Sequence, residues 1–542
     1  MRRRLILMLG FALLLALALA GPTLAASQAQ SPAPAATDWT ILVVGLTFLL
    51  PVGLILLSVA ALAEEQAVSA ATGGLVAWGV ATLAYFAIGF AFQFGGIAVV
   101  HDTRDLAGLY WEYSLLDTTW GTGWGMIGLK GFLMLGDAST SGALALFLSQ
   151  LPLLGLATLI PYFALQGRTR RWVILLASLL MGSLIYPLIG NWTWGGGWLA
   201  NLGRNLTQGH GLIDAGGSGQ VALTGAAAAL AALLVFRSRP VASPQDETQT
   251  SAADLEAVGA AADPDDDKEA LTDESEAVPM PPVHLPLLGL LGAALMLIGW
   301  MGLAFMAHLP NAVGVLPAPM AVNLVLGALG GTLTAALYSW FTTGNLNSLM
   351  SARGMAAGLV VVAAGAPFIP AWSALVAGLV VGFLLPPLIY LFSRMLRLDD
   401  TGGALATFGL PAILGLLLPA LVADGRYGVG WNGTGLENFL GVAGQGVSGL
   451  LVASGFAPNW PAQIYAQLVG AISVLVWSLG LSWLLMRSLA GLIRAWERTG
   501  LEFGTPPEPV VADEEALPMQ GDALEAGEEG VSGLVGGQEI RT

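Results

Sequence analysis

Long apolar segments alternate with short polar connections over most of the chain. Eleven apolar segments follow one another between Trp39 and Met486, and most are close to the ~20 residues that a helix needs to cross a bilayer. They are Trp39–Leu62, Leu75–Phe94, Ala143–Gln166, Trp172–Trp192, Gly219–Phe236, Leu285–His308, Met320–Phe341, Met355–Phe368, Ser373–Phe392, Ala404–Ala423 and Ile464–Met486. The eighth is the shortest. The pattern predicts an all-α polytopic membrane protein with eleven transmembrane helices.

A further apolar run, Leu5–Ala20, follows three arginines and precedes small residues near Ala25 and Ala26. This layout is typical of a secretory signal peptide, so we expect residues 1–26 to be cleaved. The alternative is a retained first membrane helix, but the run is short for a hydrocarbon core of ~30 Å. Cleavage would place the new N-terminus outside.

Basic residues in the connections test this orientation independently. With an outside N-terminus, the connections on the inside hold Arg168, Arg170, Arg171, Arg237, Arg239, Arg353, Arg394, Arg397, Arg487, Arg494 and Arg498. Those on the outside hold only Arg104, Lys130, Arg204 and Arg426. This asymmetry follows the positive-inside rule. We therefore expect a protein of the inner or plasma membrane, embedded in the lipid bilayer, with its N-terminus outside and its C-terminus in the cytoplasm.

Composition narrows the classes of function. Of the 542 residues, 55% are hydrophobic and 10% are charged, which excludes an ordinary soluble domain. The chain has no cysteine and four histidines, which excludes disulfides and thiolate sites and leaves little for metal catalysis. A glycine loop followed by Lys and Ser or Thr, which would cradle phosphate, is absent. We predict no enzymatic activity, no cofactor or metal, and no nucleic-acid partner.

The net charge of −16 comes from two polar segments. Twelve of the thirty-six carboxylates lie between Val241 and Val283, and ten more lie after Gly500. Residues 241–283 contain almost no large apolar side chains, so they cannot bury enough surface to fold alone. We predict a disordered acidic linker at 241–283 and an acidic tail at 487–542, both cytoplasmic.

The linker leaves five apolar segments before it and six after it. Because five is odd, the second set starts from the opposite side of the membrane, as in an inverted repeat. We predict a first repeat at residues 39–240, and a second repeat with one final helix at residues 284–486. Asp214 begins the stretch DAGGSGQVALTG and Asp400 begins DTGGALATFGLP, each before a small-residue helix. Either aspartate could be a helix cap, or a buried functional group if it lies within the membrane.

Two motifs point to a known family. Residues 191–200 read NWTWGGGWLA and residues 214–219 read DAGGSG. They resemble the ammonium transporter (Amt/MEP/Rh) family, whose pattern is approximately W-x-W-G-G-G-W-L-A, followed by D-F-A-G-S-G-V-V-H. Shorter similarities, in the same order along the chain, are GWMG at 299–302, LDDTGG at 398–403, QLVG at 467–470 with Trp477, and ERTGLE at 497–502.

The resemblance implies a homotrimer in which each subunit has its own narrow, mostly apolar pore between the two repeats. It also implies capture of ammonium at an outer aromatic site, removal of a proton, passage along two pore histidines, and a cytoplasmic face that docks a PII-type signalling protein. Trp194 matches the outer tryptophan of the motif and Asp214 matches its buried aspartate. A cation–π site favours a small cation at the mouth, whereas a hydrophobic constriction penalises any charged ion.

The positions of the two pore histidines differ from the family pattern. Ala222 lies eight residues after Asp214, and Phe408 lies eight residues after Asp400. Both pore histidines are therefore expected to be missing. Phe408 would plug one half of the path, while Ala222 would widen the other.

The gate and the capture site differ as well. Ser149 and Leu153 stand at the aromatic positions of the family's gate motif F-Q-x-x-F, of which only Gln150 is kept. After G-W-F-G the family continues F-N-x-G-S, but here Leu303 begins this stretch and Ala307 occupies the place of the capture-site hydroxyl. We expect these residues to line an altered pore.

Other polar residues could substitute for the missing ones. His308 follows Ala307 at the predicted outer end of the sixth helix, His210 lies in the loop before Asp214, and Gln150 and Gln220 are amides near the same mouth. The leading interpretation is transport of ammonium or ammonia with altered pore chemistry. The alternatives are a non-transporting sensor, regulatory or structural membrane protein, and a channel for another small neutral molecule.

Overall fold

The computed structural model describes residues 36–101, 104–236, 284–304, 316–398, 400 and 402–497. These residues divide into two units, the first with residues 36–41 and the second with the described residues from Leu42 onward. The predicted signal peptide, the acidic linker and most of the acidic tail lie outside the described residues.

The described part of the second unit contains eleven apolar helices of ten or more residues that length and hydropathy single out. Ten of them are long and apolar enough to cross a membrane, and the eighth is shorter. They are α1 (Leu42–Val59), α2 (Gln66–Val99), α3 (Ser141–Leu165), α4 (Arg171–Thr193), α5 (Ser218–Val235), α6 (His284–Ala304), α7 (Pro317–Thr343), α8 (Ser348–Ala363), α9 (Ala371–Met395), α10 (Leu405–Val422) and α11 (Ala462–Glu497). The prediction of eleven helices with a short eighth is confirmed. The last helix continues beyond its predicted end at Met486.

Two connections contain short antiparallel hairpins. Between α2 and α3, β1 (Glu112–Tyr113) pairs with β2 (Ile127–Gly128). Between α10 and α11, β3 (Asn438–Phe439) pairs with β4 (Val442–Ala443). These hairpins belong to the two longest described connections, which lie on the side that we predict to be outside.

Glycines allow several helices to approach one another closely. Helices α1 and α6 cross at Gly53 and Gly292, where a Cβ atom on either residue would collide with the carbonyl oxygen of the other. Helices α7 and α8 cross in the same reciprocal manner at Gly331 and Gly354. Small residues at crossings are a common basis of helix association in membranes, because they bring the backbones into van der Waals contact. The reciprocal contact of α1 with α6 also pairs the first helices of the two repeats.

Helices α5 and α10 begin in the same way. Asp214 accepts hydrogen bonds of 3.0 and 2.8 Å from two backbone N–H groups at the start of α5, and Asp400 accepts two of 2.8 Å from the start of α10. A π-helical turn follows each aspartate, over Ser218–Leu223 and Leu405–Gly409. Both aspartates therefore cap a helix, and the shared local structure is what an internal repeat produces.

The start of α8 differs from the prediction. We expected a segment from Met355, with Arg353 in an inside connection, but the helix begins at Ser348 and Arg353 is buried within it, only 7% exposed. Arg353 lies close enough to Asp400, 8% exposed, for the two charges to interact. Hydropathy alone misplaced the boundary, because a charged side chain can belong to a buried helix surface when it has a partner of opposite charge.

Candidate pore site

The residues that lead into α5 form a buried segment without regular structure. Residues 209–217 are buried and contain no helix or strand, so their backbone groups need partners from elsewhere. The indole Nε1 of Trp194, just after α4, donates to Asp214 O at 2.8 Å. The indole Nε1 of Trp300 in α6 donates to Gly216 O at 3.0 Å. Two tryptophans, one from each repeat, thus hold the segment that contains Asp214.

Helices α8 and α11 hold the same segment from other sides. Ser218 Oγ donates to Val360 O at 2.7 Å and accepts from Ala364 N at 2.8 Å. The side-chain amide of Gln467 accepts from Ile213 N at 2.8 Å and donates to Ile213 O at 2.9 Å. Four helices outside the segment therefore determine where Asp214 lies.

Asp214 is almost completely buried, with 2% of its surface exposed. Oδ2 accepts both backbone hydrogen bonds of the cap, whereas Oδ1 has no hydrogen-bond partner among the described residues. Trp194 is also only 2% exposed, and its ring packs against Gly217. Gly217 has a φ of +84°, a backbone conformation that glycine adopts without strain. The two motif residues thus form one buried unit that carries an unpaired acceptor.

A network of amides and hydroxyls crosses the first repeat beside this unit. Tyr85 in α2 donates to Gln93 Oε1 at 2.8 Å, and Gln93 Nε2 donates to Gln150 Oε1 in α3 at 3.1 Å. Tyr186 in α4 donates to the same Gln150 oxygen at 2.9 Å. All four side chains are fully buried. Gln150, a predicted binding residue, therefore lies at the centre of a network that joins three helices.

The turns that contain the positions of the two family histidines pack against each other. Ala222 lies in the π-helical turn of α5 and Phe408 in that of α10, and these two turns pack against each other. Ala222 is fully buried and Phe408 is 3% exposed. The predicted pore positions from the two repeats thus lie at one contact between them.

The remaining predicted site residues are placed as follows. Ser149 Oγ donates to Leu146 O at 2.6 Å, and Leu153 and Leu303 are buried in the apolar core. Ala307 and His308 lie outside the described residues. Among the residues that the structure describes, no group of three histidine or acidic side chains could hold a metal ion.

Sequence reasoning gave no role to Tyr85, Gln93, Tyr186 or Thr193, and it quoted Trp300 only as part of a motif. A signal for them was available, because polar residues inside an apolar segment are costly unless they are paired within the protein. Gln93 and Tyr85 both lie in the second predicted segment. Their partners could not be read from the sequence, since they come from other helices.

Two titratable side chains, one buried and one half-buried with shielded oxygens, lie in the connections outside the membrane-spanning helices. His210 is fully buried against Phe439, with a ring-centroid distance of 4.2 Å, and neither ring nitrogen has a hydrogen-bond partner. Burial lowers the pKa of His210 from 6.5 to about 4. Burial, with a further contribution from the neighbouring Asp117, raises the pKa of Glu112 from 4.5 to about 8. The shift of His210 makes the folded state less stable as pH falls, whereas the shift of Glu112 makes it less stable as pH rises.

We expect His210→Leu to remove an acid-sensitive contribution to stability. Between pH 6.5 and 4 the unfolded chain protonates His210 while the folded chain does not, so the folded state loses stability as pH falls, by about 3 kcal/mol in all. The measurement is the apparent melting temperature in detergent from pH 4 to 8, for the variant and the wild type. The difference between them should change below pH 6.5 and stay constant above it.

Glu112→Gln is the counterpart of opposite sign. The folded chain keeps the Glu112 proton up to about pH 8, whereas the unfolded chain releases it near 4.5, so wild-type stability falls as pH rises through that window. The glutamine variant should lack this alkaline loss. Parallel melting curves for variant and wild type across the whole range would contradict either assignment.

Comparison with known proteins identifies the family to which the chain belongs. Residues 38–261 and 269–499 match the sequence model of the Ammonium Transporter Family. The chain belongs to this family. The match contains the tryptophan–glycine motif, Asp214, Asp400 and all eleven described apolar helices, so the resemblance read from short motifs extends over nearly the whole chain.

Individual members of the Ammonium Transporter Family agree with this assignment. Ammonium transporter Amt2 of Archaeoglobus fulgidus is 26% identical over 482 residues, which cover 88% of each chain. Among solved structures, one titled Sensor Amt Protein aligns with a TM-score of 0.61 and 21% identity, covering 84% of this chain and 93% of the other. Mep2 of Candida albicans aligns with a TM-score of 0.58 and 20% identity, covering 88% and 86%. The protein is therefore a helical membrane protein of the ammonium transporter fold, and its relatives are named as transporters rather than enzymes.

Proposed function

We propose that the protein moves ammonium or ammonia across the membrane along a path inside each subunit, with a pore chemistry of its own. Family membership supports the activity. The observation that carries the proposal is the bond from Trp194 Nε1 to Asp214 O, which joins the predicted capture residue to the buried aspartate at the start of α5. Trp300 and Gln467 hold the same segment, so this unit is built with the precision that a binding site needs.

The altered pore chemistry follows from the residues that meet between the repeats. Ala222 and Phe408 stand where the family resemblance implies histidines, so the contact between α5 and α10 offers no imidazole. Amide groups of Gln150 and Gln220 lie nearby in the first repeat and can bind a neutral hydrogen-bonding molecule. A path lined in this way penalises ions and favours a neutral species.

We further propose the membrane location, oligomeric state and orientation that the family resemblance implies. The protein lies in the cell membrane as a homotrimer, with its N-terminus outside after removal of the signal peptide and its C-terminus in the cytoplasm. The arginines between α3 and α4 and those at the C-terminal end of α11 support this orientation. The cytoplasmic face is the proposed docking surface for a PII-type signalling protein.

One observation favours a second candidate, a non-transporting sensor or regulatory member. Phe408 is buried at the contact between the two π-helical turns, where a side chain of its size would plug a path between the repeats. In that case Phe408→Ala should create an ammonium current that the wild type lacks.

The proposal is tested by ammonium-triggered current in proteoliposomes. We expect a current from the wild type and a loss of about 2- to 30-fold in Trp194→Ala, the range that one cation–π contact makes. Trp194→Phe keeps an aromatic face but loses the hydrogen bond to Asp214, and Trp300→Phe is the matched control because it loses the equivalent bond to Gly216.

The outcomes separate the candidates. A current that both phenylalanine variants retain and Trp194→Ala loses assigns the capture role to the aromatic face. No current from well-folded wild-type protein, together with a current from Phe408→Ala, would replace transport by the sensory function.

A further inference from the structure

Gln220 lies where the family pattern, as given above, has valine, and the structure shows why an amide fits there. Thr193 Oγ donates to Gln220 Oε1 at 2.7 Å. A Cβ atom on Gly190 would lie 2.5 Å from Gln93 Nε2 and 2.9 Å from Gln220 Nε2. Because Gly190 has no side chain, the amide groups of Gln93 and Gln220 can both pack against its backbone. A hydroxyl, a glycine and two amides thus form a polar cluster in the first repeat.

Two side-chain atoms at this cluster have no hydrogen-bond partner within the part of the chain that the structure describes. Gln220 Nε2 and Asp214 Oδ1 are both buried and form no hydrogen bond, although Gln220 N itself donates to Asp214 Oδ2 at 2.8 Å. The Tyr186 hydroxyl donates to Gln150, and its oxygen is near enough to the Gln220 amide for a weak interaction that engages one N–H of Nε2 at most. Gln220 is fully buried and Asp214 is 2% exposed. A buried donor and a buried acceptor without partners are each costly, and a small molecule that bonds to both would remove this cost.

The chemistry of the two atoms restricts that molecule. Gln220 Nε2 is a donor and needs a lone pair, whereas Asp214 Oδ1 is an acceptor and needs a proton. Ammonium has four N–H groups and no lone pair, so it cannot accept from Gln220. Ammonia and water each have both a lone pair and protons, and either can bridge the two atoms.

We propose that Gln220 and Asp214 together bind one neutral ammonia or water molecule within the first repeat, and that this molecule occupies a station on the permeation path. The binding of this molecule does not depend on the proposed transport function, but its place on the permeation path does. Thr193 is a positioning residue here, because it holds the Gln220 amide through its oxygen and leaves the nitrogen to face the bound molecule.

The first test is structural and needs no transport. Wild type and Gln220→Val are each solved at a resolution that shows ordered water, once in ammonium chloride and once in sodium chloride. Density between Gln220 Nε2 and Asp214 Oδ1 in both salts identifies water, and density in ammonium chloride alone identifies ammonia; both support the site. An empty position in the wild type, or the same density in Gln220→Val, would overturn it.

The second test measures ammonium uptake in proteoliposomes by wild type, Gln220→Val and Thr224→Val. Thr224 lies on the same helix and is buried, and its hydroxyl is bonded to Gly219 O at 3.3 Å, so it serves as the matched control. We expect Gln220→Val to lose about three- to tenfold of the uptake rate, the factor of one net hydrogen bond, and Thr224→Val to behave like wild type. Equal uptake by Gln220→Val and wild type would remove the molecule from the permeation path. No uptake by the wild type would instead overturn the proposed function, while the density still decides the site.

Discussion

Replacing Arg353 by methionine is expected to lower the free energy of unfolding by about 3–5 kcal/mol, because it leaves a buried carboxylate without its opposite charge. Arg353 and Asp400 are 7% and 8% exposed, and they interact electrostatically between α8 and the start of α10. Methionine keeps most of the side-chain volume, so loss of packing contributes little. The measurement is the apparent melting temperature in detergent.

The paired variant makes this assignment falsifiable. Asparagine at position 400 carries no charge, but its one carbonyl oxygen can replace only one of the two carboxylate oxygens that accept from Ala404 N and Leu405 N. Arg353→Met with Asp400→Asn should therefore recover part of the loss. Arg487→Met, at an exposed position of α11, is the control and should change stability by less than about 0.5 kcal/mol. A small effect of Arg353→Met, or no recovery in the double variant, would show that the two charges are not coupled.

The same pair shows where hydropathy stops predicting the fold. Most membrane helices could be located because a bilayer requires an apolar run of fixed length. Near Arg353 this signal fails, since it counts a charge as the end of a helix and cannot see that Asp400, distant in sequence, compensates it. The true start of α8 can therefore be recognised only from the tertiary structure, which brings Asp400 close to Arg353.

In the candidate site too, some residues could be found from the sequence and others could not. Trp194 and Asp214 could be found because they belong to a compact motif. A helix cap was one of two alternatives for an aspartate followed by glycines, and the structure shows the cap at Asp214. The bonds from Trp300 and Gln467 to the same segment could not be found, because they depend on how α6 and α11 pack. Gln93 and Tyr186 are single polar residues in apolar helices, and only the fold brings them to Gln150.

Asp214→Ala is expected to be the most damaging single change at the site. It leaves two buried backbone N–H groups at the start of α5 without an acceptor, at about 1–3 kcal/mol each. It also loosens the segment that Trp194 and Trp300 hold, so both the apparent melting temperature and ammonium uptake should fall.

Asp214→Asn separates the cap from the chemistry of the carboxylate. An asparagine oxygen can still accept the cap hydrogen bonds, so stability should stay within about 1 kcal/mol of the wild type. Its nitrogen would then replace Oδ1 and present a donor where the proposed guest needs an acceptor. Uptake should therefore fall about ten- to hundredfold, the factor for a hydrogen bond to a charged group. If Asp214→Asn transports like the wild type while Asp214→Ala unfolds, the aspartate acts only as a cap, and the acceptor for the bound molecule must be sought elsewhere in the first repeat.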